Sequence, residues 1–292
     1  MGVMRQMCLS LVSCVLCWQL AITCCKAQVP STLSTALVFH AAFDGSEDAT
    51  VPGGRLQVHT ADSPARKSVR VGNHGGFAQI APAAGRYGDA IRFLKKHDSV
   101  LYYPGTAVHY RNADWSGTVS VWMRLDPNRD LAPGYCDPIQ ITDKTWNDAA
   151  FFVDFDKDLP RDFRLGVFAD FKFWNPTNIA WEKLPLDQRP MVTVKNPPFS
   201  SNKWTHVLFT FEDINSAAGK DAAATLYIDG APRGSVRRPM QFHWDLEKVA
   251  LMIGIYYTGD LDDLAVFNRA LTAAEAKAIY ELPSGVGSLQ SK

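Results

Sequence analysis

Hydrophobic residues along most of this chain come in short runs rich in Val, Phe, Tyr and Ile, separated by turn residues. The runs are ALVFHAAF (36–43), AIRFL (90–94), SVLYYP (99–104), GTVSVWMRLD (117–126), AAFFVDFD (149–156), FRLGVFADF (163–171), WTHVLFTF (204–211), ATLYIDG (224–230) and VALMIGIYY (249–257). Several alternate between apolar and polar positions. In 117–126, Val119, Val121, Met123 and Leu125 share one face, while Thr118, Ser120 and Arg124 take the other. That pattern predicts strands buried on one side. Asp229-Gly230 predicts a hairpin turn, because both residues tolerate the positive φ that such turns need. One segment is helical in character: TAAEAKAIYEL (272–282) opens on Thr272 with Glu275 three residues later, a capping box. Ala276, Ile279 and Tyr280 form its packing stripe. No linker interrupts 36–283, so the pattern predicts one all-β domain: an antiparallel β-sandwich of two sheets with one short C-terminal helix.

The N-terminal stretch has a different pattern. Residues 1–27 carry an early Arg5, an apolar run from Met7 to Cys25, and Lys26-Ala27 ahead of a cut after Ala27. This reads as a secretory signal peptide; an uncleaved membrane anchor is the alternative, because the run approaches spanning length. Residues 28–35 then serve as a linker, and 284–292 (SGVGSLQSK) as a flexible tail. The expected location is secreted, periplasmic or cell-envelope, with no membrane insertion of the mature chain. Five of the six cysteines fall in the leader, leaving Cys136 alone. An exported domain without an internal disulfide depends on core burial or a metal. Formal charge is balanced, 30 basic against 30 acidic residues, and no basic run stands out. Nucleic acid is therefore not expected as a partner.

GRYGDAIRF (85–93), WSGTVSVWMRLD (115–126), KWTHVLFTFE (203–212), TLYIDG (225–230) and GDLDDLAVFNRALTAAEAKAIY (259–280) follow one another in a family-like order. Over most of its length the sequence resembles a laminin-G-like domain of the concanavalin A-like lectin and glucanase superfamily. The resemblance implies the jelly-roll form of the sandwich. The sequence departs from a plain member in the aromatic-rich span 136–200 and in the polar, extended segment 45–84, and any private function is expected there.

Three aspartates, Asp260, Asp262 and Asp263, crowd the start of the last strand, where burying an unpaired charge is costly. Simple alternation puts Asp262 on the face of Leu264 and Val266, pointing into the core; Asp260 and Asp263 are expected to be solvated turn acids. Resemblance to laminarinase-type glycosidases implies a structural calcium, held by Asp262, a backbone carbonyl and an acid near the first strand, whose counterpart is Asp44. Oxygen ligands from separate chain segments suit calcium. The alternative is that Asp262 accepts backbone N–H bonds without any ion.

In FFVDFDKD (151–158), Asp154, Asp156 and Asp158 alternate onto one face with Phe152. Glucanases of the superfamily use two glutamates flanking an aspartate on one strand, and no Glu occurs here, so no catalytic residue is assigned. The plainer expectation is a solvated ion pair across the hairpin, Arg164 opposite Asp156. Gly-x-Ser-x-Gly, His-Glu-x-x-His and glycine-rich phosphate motifs are absent from the sequence. His206 is expected to hydrogen-bond within its sheet, and Trp122 and Trp204 to pack. Trp146, Trp174 and Trp181 lie in the atypical span. Aromatic faces stack on sugar rings while Asp and Asn accept hydroxyl hydrogen bonds, which makes Asp143, Asn147, Asn175 and Asn178 their candidate companions. The competing reading is that these tryptophans anchor a long loop. The expected function is an exported, non-catalytic module binding carbohydrate or a surface protein. The alternatives are a glycoside hydrolase acting on polysaccharide and a structural or adhesive cell-envelope protein.

Overall fold

The computed structural model describes Gly2, residues 31–217 and residues 220–290. The leader expected at 1–27 lies outside the described residues apart from Gly2. Two antiparallel sheets stack face to face. The first runs, in spatial order, Ala231–Arg238, Ala222–Ile228, Thr205–Ile214, Trp115–Arg124, Gly259–Phe267, Leu37–Ala41, Ala49–Val51 and Gly54–Leu56. Ala90–Phe93 joins it by pairing with Gly259–Phe267, and Ala78–Ala81 pairs with Ala90–Phe93. The second runs Met191–Val194, Phe163–Phe168, Ala150–Phe155, Cys136–Thr142, Ala250–Ile255, Val100–Pro104, His59–Ala61 and Val69–Val71. This is the sandwich the alternation predicts. Val119, Val121, Met123 and Leu125 meet Phe151, Val153, Leu251 and Ile253 in the core between the sheets.

Local expectations hold where turn chemistry decides them. Asp229 and Gly230 both adopt positive φ, 51° and 73°, and close the hairpin between Ala222–Ile228 and Ala231–Arg238. Thr272 and Glu275 form the full capping box of the helix Ala273–Tyr280, which buries Ala276 and Ile279. The polar segment 45–84 is not featureless: it supplies five short strands at the margins of both sheets.

The expected linker and tail are in part ordered. Ser31–Ala36 is a helical turn and Val286–Leu289 a 3-10 turn, and the Ser34 hydroxyl donates to the Leu289 carbonyl at 2.7 Å. The outer face of the first sheet presents Leu208, Tyr227, Ala265 and Phe267, which need cover. Leu33, Val286, Leu289 and the C-terminal helix provide it in a second apolar cluster. A reading based on small and polar composition misses these few anchoring residues.

His206 sits in this outer layer. Its Nε2 meets the Ser120 hydroxyl at 2.8 Å, and its ring packs beside Trp122 and Tyr280. Burial disfavours the imidazolium and lowers its pKa to about 4. The unfolded chain binds a proton near pH 6.5, whereas the folded one does so only near 4. Stability contributed by the neutral ring is therefore complete above pH 6.5 and lost as pH falls toward 4, by about 3 kcal/mol in all. Urea midpoints of wild type and His206→Gln at pH 7 and pH 4.5 check this. The acid-induced drop should be clearly smaller in the variant.

Candidate ligand-binding face and the acidic strand

On Ala150–Phe155, Phe151, Val153 and Phe155 point into the core, so Phe152 and Asp154 emerge on the outer face of the second sheet. The neighbouring strand follows suit: Gly166 lies opposite Phe152, Arg164 opposite Asp154, and Phe168 opposite Ala150. The span after this strand folds back over the face as one turn of helix, Phe171–Trp174, and two 3-10 turns, Trp181–Lys183 and Leu186–Gln188. Two braces hold it to the loop 142–148. The Phe171 amide donates to Asp148 Oδ1 at 2.8 Å, and Trp174 Nε1 donates to the Asn147 carbonyl at 2.9 Å.

This brings the three sequence-predicted tryptophans together around Phe168. Its ring lies 5.5 Å from Trp146, 5.0 Å from Trp174 and 5.9 Å from Trp181. Trp146 stands nearly perpendicular to Phe152, Phe168 and Trp181 and remains 42% exposed. Arg189 covers one side of Trp181, its guanidinium carbon 4.2 Å from the ring centre. The polar companions are placed differently. Asn175 is buried and bonds twice to the backbone of Ile179, closing its own loop. Asp143 Oδ2 accepts the Asp245 amide, Oδ1 is buried without a partner, and burial raises its pKa. Asn147 accepts from the Thr145 hydroxyl, and Asn178 is exposed with positive φ.

Asp154 and the tryptophan cluster share this face, with the Phe152–Gly166 pair between them. Phe168 and Arg164 are four residues apart on one strand, about 13 Å. The ladder puts Arg164 opposite Asp154, not Asp156, and the pair is buried rather than solvated: 3% exposure for Asp154 and 6% for Arg164. Arg164 forks onto Asp154, and its remaining nitrogen reaches Asp156 at 3.2 Å. The expected partner lies two residues too far along the strand, because the hairpin is centred on Leu159 and not on Pro160. Asp137, which sequence reading passed over, borders Asp154 on the next strand, since Cys136 pairs with Phe155. Burial and the Asp154 charge push its pKa well above the usual carboxylate range. Cys136 faces the core, where burial raises its thiol far from reactivity.

The three acids of the last strand are all buried. Asp260 takes forked bonds from Arg92 (2.7 and 3.0 Å) and from Arg124 (2.6 and 3.1 Å). Asp263 accepts the Val286 amide at 2.9 Å and meets His40 Nε2 at 2.7 Å. Neither is a solvated turn acid. Nor does Asp262 share the face of Leu264. An extra residue in the ladder between Asp262 and Ala265, with Asp263 at φ 52°, is a β-bulge that shifts the alternation by one. Asp262 therefore lies on the outer face beside Trp122. Its Oδ2 accepts the Tyr87 amide at 2.9 Å, and its buried Oδ1 has no partner. Burial lifts its pKa to about 7. Asp44, which is exposed, accepts the Asp89 amide at 2.8 Å, and a Cβ at Gly88 would overlap its carboxylate. Both proposed ligands thus border the turn 85–89. Among the described residues no three His, Cys, Asp or Glu side chains converge, so a cation here needs carbonyl oxygens too. An orphaned carboxylate oxygen and an all-oxygen donor set fit calcium.

Residues 101–277, more than half of the chain, match the profile of the laminin-G-like family described as the concanavalin A-like lectin/glucanases superfamily. The chain belongs to this family. No curated protein matches it. Among solved structures, domain 4 of AbnA, an extracellular arabinanase from Geobacillus stearothermophilus in complex with arabinotriose, aligns with TM-score 0.50 and 17% identity. The alignment covers 83% of this chain and 97% of that one. The binding domain of Paraclostridial Mosquitocidal Protein 1 aligns at 0.51 with 16% identity, covering 85% of this chain and 52% of that one. Trypanosoma rangeli sialidase, in complex with sialic acid, aligns at 0.53 with 13% identity over 89% of this chain and 35% of that one. At these identities the likeness is one of fold.

Within this laminin-G-like domain, the Asp154–Arg164 pair is the most exacting part of the outer face. Its removal in halves is diagnostic. Arg164→Met strands a buried carboxylate and should cost about 3–5 kcal/mol, whereas Asp154→Leu combined with Arg164→Met should recover most of that loss. Urea denaturation of the two variants gives the comparison.

Proposed function

We propose that this chain is an exported carbohydrate-binding module whose binding face is the outer surface of the second sheet, beside the folded-back span 170–190. The observation that carries the reading is Trp146: a large aromatic ring, 42% exposed, fixed by three perpendicular neighbours on a sheet face that also carries polar side chains. A rigid, exposed indole costs little ordering to stack on a sugar ring. The resemblance to an arabinanase domain solved with arabinotriose, covered almost end to end, supports the same reading. Export rests on the leader pattern of residues 1–27. The hydrolase alternative has less support, because Asp154 is buried in the fork of Arg164 and closed to a substrate.

The test separates stacking from anchoring. Trp146→Ala should weaken binding of responsive oligosaccharides, arabino-oligosaccharides included, at least tenfold by calorimetry or glycan array, with little change in melting. Trp174→Ala should instead lower stability, because that indole braces the loop 142–148. No glycan signal, or a signal untouched by Trp146→Ala, would sink the proposal.

The proposal includes a structural calcium held by Asp262 and Asp44 with backbone carbonyl oxygens. Its support is the orphaned Asp262 Oδ1. Calcium at a hundred times its Kd adds about 2.7 kcal/mol, which corresponds to roughly 5–10 °C in a domain of this size. Melting in calcium against chelator should show that gap, and Asp262→Asn should erase it.

A further inference from the structure

At one end of the sandwich, strand ends and loops border an open pocket of about 280 Å³ lined by Arg92, Arg124, Asp130, Ser201, Thr258 and Asp260, with Phe93 and Leu94 contributing apolar wall. We infer that this pocket is a second ligand site, taking a single saccharide residue that carries a carboxylate. The inference stands apart from the tryptophan face, which is built from other elements.

Asp260 organises the site. It is 5% exposed and receives both guanidiniums, so one buried negative charge fixes two positive ones side by side at the pocket wall. Arg92 spends Nε and Nη2 on it, and Arg124 spends Nε and Nη2 on it and on the Ala84 carbonyl. The Nη1 groups of both have no protein acceptor among the described residues, and the side chains keep 41% and 24% exposure. Arg124 is further immobilised over the Trp204 ring, 4.7 Å from its centre. Guanidiniums held in place by a buried acid and an indole lose little freedom on meeting a carboxylate, and their planar donors match its geometry.

The remaining wall suits hydroxyls. Ser201 Oγ already accepts from Arg129 Nη2 at 2.7 Å, which leaves its own proton to donate. Asp130, the other acid at the wall, is occupied by the Asp126 amide and by Arg129 Nε. Its charge is thus offset before a ligand arrives. The volume sits at the small end of ligand sites, roughly 300 Å³ upward, which favours one ring over a chain.

Protein-observed NMR titration with galacturonate and N-acetylneuraminate tests this. The Trp204 indole signal should shift on titration, with a Kd on the order of 1 mM. Arg92→Gln, which leaves Asp260 paired with Arg124, should weaken binding at least tenfold, and Arg92→Lys should weaken it less. Trp146→Ala should leave it unchanged, so failure here and failure of the tryptophan face are read separately. Galactose or galacturonate methyl ester binding as well as the acids would overturn the inference. So would acetate binding as tightly as galacturonate, which would reduce the site to a generic anion contact, or the absence of any shift at Trp204.

Discussion

A carboxylate withdrawn from water must receive charge or hydrogen bonds in return, and the strand Gly259–Phe267 withdraws three. Meeting that demand ties the molecule together. Asp260 draws in Arg92 and Arg124 from two neighbouring strands, Asp263 draws in His40 and the Val286 amide, and Asp262 draws in the turn at Tyr87. Asp262 and Asp263, adjacent in sequence, can both reach partners of the outer layer because a bulge interrupts the strand between Asp262 and Ala265. Asp263 accepts the left-handed conformation there, which short polar residues tolerate better than bulky ones. An apolar residue at any of the three positions would leave its partners with unmatched charge or unbonded donors.

That bulge also marks the boundary of what alternation discloses. Strands such as Trp115–Arg124 were legible because each residue obeys the period of two and one face meets an apolar partner. The hairpin at Asp229-Gly230 and the capped helix were legible because their chemistry is local. Asp262 was misplaced because one inserted residue reverses every inference drawn across it. Asp260 and Asp263 read as solvated because their partners lie far away in sequence: 168 residues separate Arg92 from Asp260 and 223 separate His40 from Asp263. The partner of Arg164 was off by two residues for a related reason, since turn geometry sets register and the residues themselves do not announce it.

The candidate binding face shows the same division. Aromatic content singled out Trp146, Trp174 and Trp181, and they do converge, but their roles differ by details no pattern carries. Trp174 uses its indole N–H on the loop below, Trp181 is partly covered by Arg189, and Trp146 alone is held open. Asn175, a natural hydroxyl acceptor on paper, spends its amide closing a turn. Asp137 was invisible as a site residue because its significance comes from a neighbour across the ladder.

The central position of Gly259–Phe267 bears on how the chain is made. This strand is the last of the first sheet to be synthesised, yet it lies between Trp115–Arg124 and Leu37–Ala41, two of the earlier ones. On an emerging polypeptide those strands each present an open edge, and no intervening segment can fill the gap. Pairings so distant in sequence close slowly, and the exposed edges meanwhile invite contact with other chains. The nascent domain must therefore stay incomplete until nearly its whole length has left the ribosome, and during that wait it depends on whatever keeps its edges apart.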